Sequence, residues 1–151
     1  MPDTARPTVP PYRMNLQRRL ENVLMSGLVR IGVVPSTYLL TTTGRRTGRR
    51  RRTPVTVVRY DDRLWLVAPY GPVGWVHNAR AAGQVSLSRG WTTTLHTVRE
   101  VGPAEAGPVL RRYVHVAAVT RPYFLAAPDD PVADFVAEAG AHPVFELTRV
   151  G

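Results

Sequence analysis

Six of the eight residues from Arg45 to Arg52 are arginine, within the stretch Thr41-Thr-Thr-Gly-Arg-Arg-Thr-Gly-Arg-Arg-Arg-Arg-Thr-Pro54. The guanidinium group is always charged and offers a planar fork that matches phosphate and carboxylate oxygens two at a time. Packing so many into one segment costs self-repulsion, which an anionic partner relieves. A charge run is also the ordinary mark of a solvated tip. The elements around it set its shape. Thr37–Leu40 and Val55–Val58 are β-rich apolar runs, and Gly44 and Gly48 supply the backbone freedom of a tight connection. The segment therefore reads as a β-hairpin with cations on its tip and return strand.

The rest of the composition narrows the chemistry. Of 151 residues, 20 are basic, all of them arginine, against 11 acidic, for a net charge of +9. Nucleic acid, an anionic membrane surface and a polyanionic small molecule are the partner classes this charge suits. With no cysteine there is no disulfide, no thiolate chemistry and no Cys-ligated metal. The four histidines, 77, 96, 115 and 142, lack companions at ligand spacing, so no metal is expected. No Gly-x-Ser-x-Gly elbow, phosphate loop or dinucleotide fingerprint occurs, and Gly44-x-x-x-Gly48 lies between strands where those fingerprints lead into a helix. No protein-borne nucleophile stands out, so an enzyme built on this chain would rely on a cofactor. Neither a signal-peptide core nor a membrane-spanning stretch is evident, and a cytoplasmic protein is expected.

Taken in order, residues 1–13 hold four prolines and read as a loose arm, with residues 14–151 as one domain. From Asn15, the apolar residues Leu16, Leu20, Val23, Leu24, Leu28 and Ile31 recur at helical spacing among arginines. That helix either packs on the core or rests on a membrane surface. Strands are expected at Tyr38–Thr43, Thr53–Tyr60 and Leu64–Ala68, with Asp61-Asp62-Arg63 as a turn. The breaker-rich loop Pro69–Gly74 leads to a short helix, Trp75–Ala82, stopped by Gly83. A hairpin over Gln84–Ser88 and Thr92–Val101 turns at Arg89-Gly90, and a long helix covers Ala104–Val119. A loop, Thr120–Pro131, carries Tyr123 and Phe124, and a short helix, Val132–Ala139, and a strand, Val144–Thr148, finish the chain. Asp129-Asp130 stands where carboxylates cap a helix. Short strands interleaved with a few helices make an α+β barrel.

Leu39-Leu-Thr-Thr-Thr-Gly-Arg-Arg-Thr-Gly48, then Arg51-x-Thr-Pro54, then Gly74-Trp-x-x-Asn78 resembles the deazaflavin-dependent nitroreductase family, over roughly residues 37 to 101. The resemblance implies a split β-barrel, an FMN-binding-like antiparallel barrel with flanking helices. It also implies coenzyme F420, a hydride carrier bearing a phosphate and an oligoglutamate tail. By this likeness Arg46 and Arg51, with Arg45, Thr47 and Arg52 beside them, face the phosphate and tail carboxylates. Thr53, Pro54 and Val55 run beside the deazaflavin ring, whose polar edge their backbone groups meet. Ala68, Pro69 and Tyr70 form the opposite wall, and Gly74, Trp75, Val76 and Asn78 the short helix that closes the site. Tyr70 departs from the family, which often has a basic residue there; Arg45, Arg49 or Arg50 are candidates to compensate. Tyr123 is the candidate hydrogen-bond donor in the acceptor pocket, with Tyr113 and Tyr70 as alternatives. The function implied is an oxidoreductase passing a hydride from reduced F420 to a quinone, nitroaromatic or activated enone. The alternatives are a lipid- or anion-binding protein of the same fold without turnover and, less favoured, a basic nucleic-acid binder.

Overall fold

The computed structural model describes residues 36–151. The N-terminal arm and the helix expected from Asn15 lie outside the described residues. Six strands form a closed antiparallel barrel: β1 (Thr37–Thr43), β2 (Arg50–Tyr60), β3 (Arg63–Val67), β4 (Gln84–Arg89), β5 (Thr92–Glu100) and β6 (Val144–Arg149), in the spatial order β1-β2-β3-β6-β5-β4. Helix α1 (Gly74–Ala82) follows β3, whereas α2 (Pro103–Val116) and α3 (Val132–Glu138) lie between β5 and β6.

Two apolar clusters explain why the strands read as they do. Leu40, Val55, Val57, Leu66 and Phe145 fill the barrel, joined by Trp75, Val76 and Ala79 of α1. Val58, Trp65 and Val67 point the other way and pack under Val109, Leu110 and Tyr113 of α2 and Phe135 of α3. Because side chains alternate along a strand, β3 is buried on both faces, and its residues Leu64–Val67 are apolar throughout. At Gly107 the two helices nearly touch: an added Cβ would collide with Val136 Cγ2, so only glycine lets α2 and α3 close over the barrel.

The structure moves several expected boundaries. β2 begins at Arg50, because Thr43, Thr42 and Thr41 pair with Arg50, Arg51 and Arg52 and carry the ladder into the charged run. The β2–β3 turn is Asp61-Asp62 alone, both with positive φ (54° and 56°), while Arg63 already pairs with Tyr60. The β4–β5 turn is Gly90-Trp91, one residue later than expected, since Arg89 pairs with Thr92. α2 stops at Val116, and a 3₁₀ segment (Ala118–Tyr123) containing Pro122 replaces its last turn and the start of the expected loop. Asp129 and Asp130 do not cap α3, whose N-cap is Pro131 without a side-chain bond. Asp130 Oδ2 instead accepts from the Ala127 N–H at 2.8 Å, and its carbonyl accepts from Arg111 Nε at 3.0 Å.

Candidate functional site

The arginine tip is built by its backbone. The Gly44 N–H donates to the Arg49 carbonyl at 2.7 Å, and the Gly48 N–H to the Gly44 carbonyl at 2.8 Å. Gly48 sits at φ 71°, and a Cβ on Gly44 would meet Thr47 Oγ1 at 2.8 Å, so both positions require glycine. One side chain clips this tip to the barrel. Asn78 of α1, 4% exposed, accepts at Oδ1 from both the N–H and Nη1 of Arg45, each at 3.1 Å, and donates through Nδ2 to Thr42 Oγ1 at 3.3 Å.

The remaining hairpin arginines are differently placed. Arg63, Arg80 and Arg99 pair with Glu146, Glu100 and Glu105, on other parts of the barrel. Among the described residues, Arg46, Arg49, Arg50, Arg51 and Arg52 meet no carboxylate. All five are exposed.

Beside them opens a cavity of about 690 Å³, lined by the tip, β2, the loop after β3, the start of α1 and the end of α2. Among the described residues, β2 pairs only with β1 from Arg50 to Thr56, and β3 joins at Val57. Two bonds on the β1 side, Val57 N–H to the Ser36 carbonyl and Gly44 N–H to the Arg49 carbonyl, fix the parity. Odd-numbered residues of β2 spend their backbone groups on β1, whereas those of Arg52, Pro54 and Thr56 face the open edge. The N–H that Pro54 lacks is therefore missing from the cavity side and costs the ladder nothing. The start of α1 also meets the cavity at Gly74, with nothing within 4 Å of where its Cβ would stand. Helix N-termini favour anions.

The opposite wall is aromatic. Tyr113 is hydrogen-bonded to Thr120, whose own hydroxyl donates to the Ala117 carbonyl at 2.7 Å and so leaves its oxygen to accept. Burial, reinforced by nearby Tyr70, pushes the Tyr113 phenol well above its ordinary range. Tyr113 therefore keeps its proton at any physiological pH. Behind the wall, His142 Nδ1 lies 2.9 Å from the Pro69 carbonyl. A carbonyl only accepts, so Nδ1 carries the proton and holds Pro69 in place.

Of the residues expected at a site, Arg45, Arg46, Thr47, Arg51, Arg52, Thr53, Pro54, Val55, Pro69, Tyr70, Gly74, Trp75 and Asn78 do line this cavity. Ala68, Val76 and Tyr123 do not. Ala68 and Val76 point into the barrel core, and Tyr123 stands behind Tyr70, edge to face at 4.6 Å. Thr37, Thr56, Val73, Tyr113, Val119 and Thr120 line the cavity as well. Tyr113 had a signal as a polar-tipped aromatic in an apolar helix face, but Val119 and Thr120 arrive only because α2 breaks early. Among the described residues no three His, Cys, Asp or Glu side chains gather as a metal site, and no helix is long and apolar enough to cross a membrane.

The family model for F420H2-dependent quinone reductase matches residues 12–124. The chain belongs to that family. An F420-H2 dependent reductase, FDR-A, is 23% identical with a TM-score of 0.51, over 76% of this chain and 95% of its own. A chain described as a domain-swapped dimer gives 23% identity and a TM-score of 0.55, over 88% and 96%. A NimC/NimA family protein from Clostridium acetobutylicum gives 14% and 0.52, over 88% and 81%. At these identities the likenesses establish the fold, that of the split barrels expected from the sequence. Family membership makes the chain an F420-dependent oxidoreductase. The cavity fits such a cofactor on three counts: cations at one end without carboxylate partners among the described residues, a backbone edge along its side unpaired among those residues, and a volume within the usual range for small-molecule sites.

Proposed function

We propose that the cavity beside the arginine hairpin is the F420 site and that the chain reduces a quinone or a similarly electron-poor acceptor there. The observation that carries this reading is the set of hairpin arginines that meet no carboxylate among the described residues, next to a cavity along whose side β2 has no second partner strand among those residues. Arg46 and Arg51, with the N-terminus of α1, bind the phosphate and tail carboxylates through charge-assisted hydrogen bonds. The open edge of β2 orients the polar rim of the ring system through the Pro54 carbonyl and the N–H and C=O groups of Arg52 and Thr56. When bound, the reduced deazaflavin supplies a hydride. The protein's part is to align the acceptor, exclude water and oppose the negative charge that develops on it. Tyr113, kept protonated by burial, serves that last task by turning its single O–H from Thr120 to the acceptor, and it replaces Tyr123 in the role.

The test is a titration with oxidised F420, followed by Trp fluorescence, since Trp75 lines the cavity. Quenching at micromolar ligand that Arg46→Ala/Arg51→Ala loses, with reduction of a soluble quinone by the reduced cofactor, is the expected result. Binding without turnover of any quinone, nitroaromatic or enone would favour a non-catalytic role, and no binding would end the reductase reading and leave the lipid- or anion-binding alternative.

A further inference from the structure

A second groove, of about 650 Å³, lies on the outward face of β1, β4 and β5. Its floor carries the hydroxyls of Thr41, Thr43, Ser86, Ser88 and Thr93, and Arg50 and Arg52 border it. No acidic residue is among the described residues that line it. Trp91, in the two-residue β4–β5 turn, stands at the rim and is 94% exposed, whereas Trp65 and Trp75 are 3% and 7% exposed. Leu95, also at the groove, is 37% exposed. The rim thus sets a large, fully exposed aromatic ring beside two arginines that meet no carboxylate among the described residues.

We propose that this groove docks on the surface of an anionic phospholipid bilayer, with Trp91 as the interfacial anchor and Arg50 and Arg52 meeting lipid phosphates. Trp is favoured at the membrane–water boundary because its ring is apolar while its N–H stays wet. Arginines near a negative surface add electrostatic attraction, and Ser and Thr hydroxyls suit headgroup oxygens. A protein partner fits less well, since interface cores are apolar and this floor is hydroxyl-bearing. A single-stranded nucleic acid needs successive stacking aromatics, and the groove offers one. The docking does not depend on hydride chemistry.

The test uses the full chain, sedimented with phosphatidylcholine vesicles containing phosphatidylglycerol and with pure phosphatidylcholine vesicles. Vesicles with brominated acyl chains add a quenching readout selective for Trp91, because the other two tryptophans are buried. Expected are sedimentation with the anionic vesicles only and a blue-shifted emission quenched by bromolipid. Trp91→Ser and Thr93→Glu should each weaken vesicle binding about tenfold or more while F420 titration through the remaining tryptophans is unchanged. Sedimentation with unquenched emission, or binding that both variants retain, would overturn the proposal and move the contact elsewhere on the chain. A blue shift that follows protein concentration without vesicles, or an oligonucleotide that displaces the vesicles and shifts the emission itself, would overturn it in favour of a second copy or of nucleic acid. A failed F420 titration beside intact vesicle binding would count against the cavity assignment alone.

Discussion

Replacing Asn78 by alanine tests whether the arginine tip works because it is held. The change removes three hydrogen bonds: two from Arg45 and one to Thr42, whose side chain is buried. A net bond is worth about 1 kcal/mol, somewhat more with a charged donor. Arg45 is exposed, so water recovers part of its share. The expected loss of stability is therefore about 2–3 kcal/mol, read as a lower urea midpoint at unchanged slope. Freed from α1, the tip samples many arrangements and must be ordered again when ligand arrives. A tenfold rise in the F420 dissociation constant corresponds to about 1.4 kcal/mol of that cost. Asn78→Asp separates the clip from the ligand contact. A carboxylate still accepts both Arg45 groups, and the Thr42 hydroxyl can turn to donate to it, so stability stays near that of the parent. The new negative charge at the cavity nonetheless weakens binding of an anionic cofactor. If Asn78→Ala unfolds at the parent's urea concentration and binds F420 equally well, the clip is not what organises the hairpin.

Tyr113→Phe should lower kcat about tenfold or more with little change in KM, whereas Tyr123→Phe, behind the wall, should leave kcat within about twofold; the reverse pattern would return the donor role to Tyr123. Stability should fall on acidification from about pH 7 to 5. Burial holds His142 below its ordinary pKa, against the opposing pull of the Pro69 carbonyl and Glu138, and His96 is likewise held low by burial and Arg149. A histidine depressed in the folded state stabilises above its unfolded pKa and loses that contribution as pH falls toward the folded value. Urea midpoints across that range should flatten in a His142→Asn variant, and an equally steep fall there would show that His142 is not the group responsible.

Local pattern made most of the barrel legible. The β1–β2 hairpin, α1 with its Gly83 stop and the strand of β6 all follow from periodicity and glycine placement that neighbours do not override. The strand character of Arg50–Arg52 was hidden because arginine runs have little β-preference of their own, and it comes from pairing with three threonines of β1. Which residues face the cavity was only half readable. Ala68 and Val76 sit one position from cavity-lining neighbours, and their direction depends on which face of strand or helix the barrel takes. The expectation for Asp129 and Asp130 failed because Ala127 and Arg111, neither of them next in sequence, claim the backbone and side chain of Asp130. The separation of paired from unpaired arginines has no signature along the chain at all, since Glu146 and Arg63 meet only after β3 and β6 join.

The half of β2 that has no second partner among the described residues has a consequence for the protein before any ligand arrives. An open strand edge is a template on which another chain can add itself, the first step of edge-to-edge aggregation. Here that edge carries Arg50, Arg51 and Arg52 followed by Pro54, the charged and donor-poor residues that deter such pairing. The cations that suit an anionic cofactor thus also oppose edge-to-edge pairing of the empty barrel. Neutralising them to silence the site would take away that protection at the same stroke.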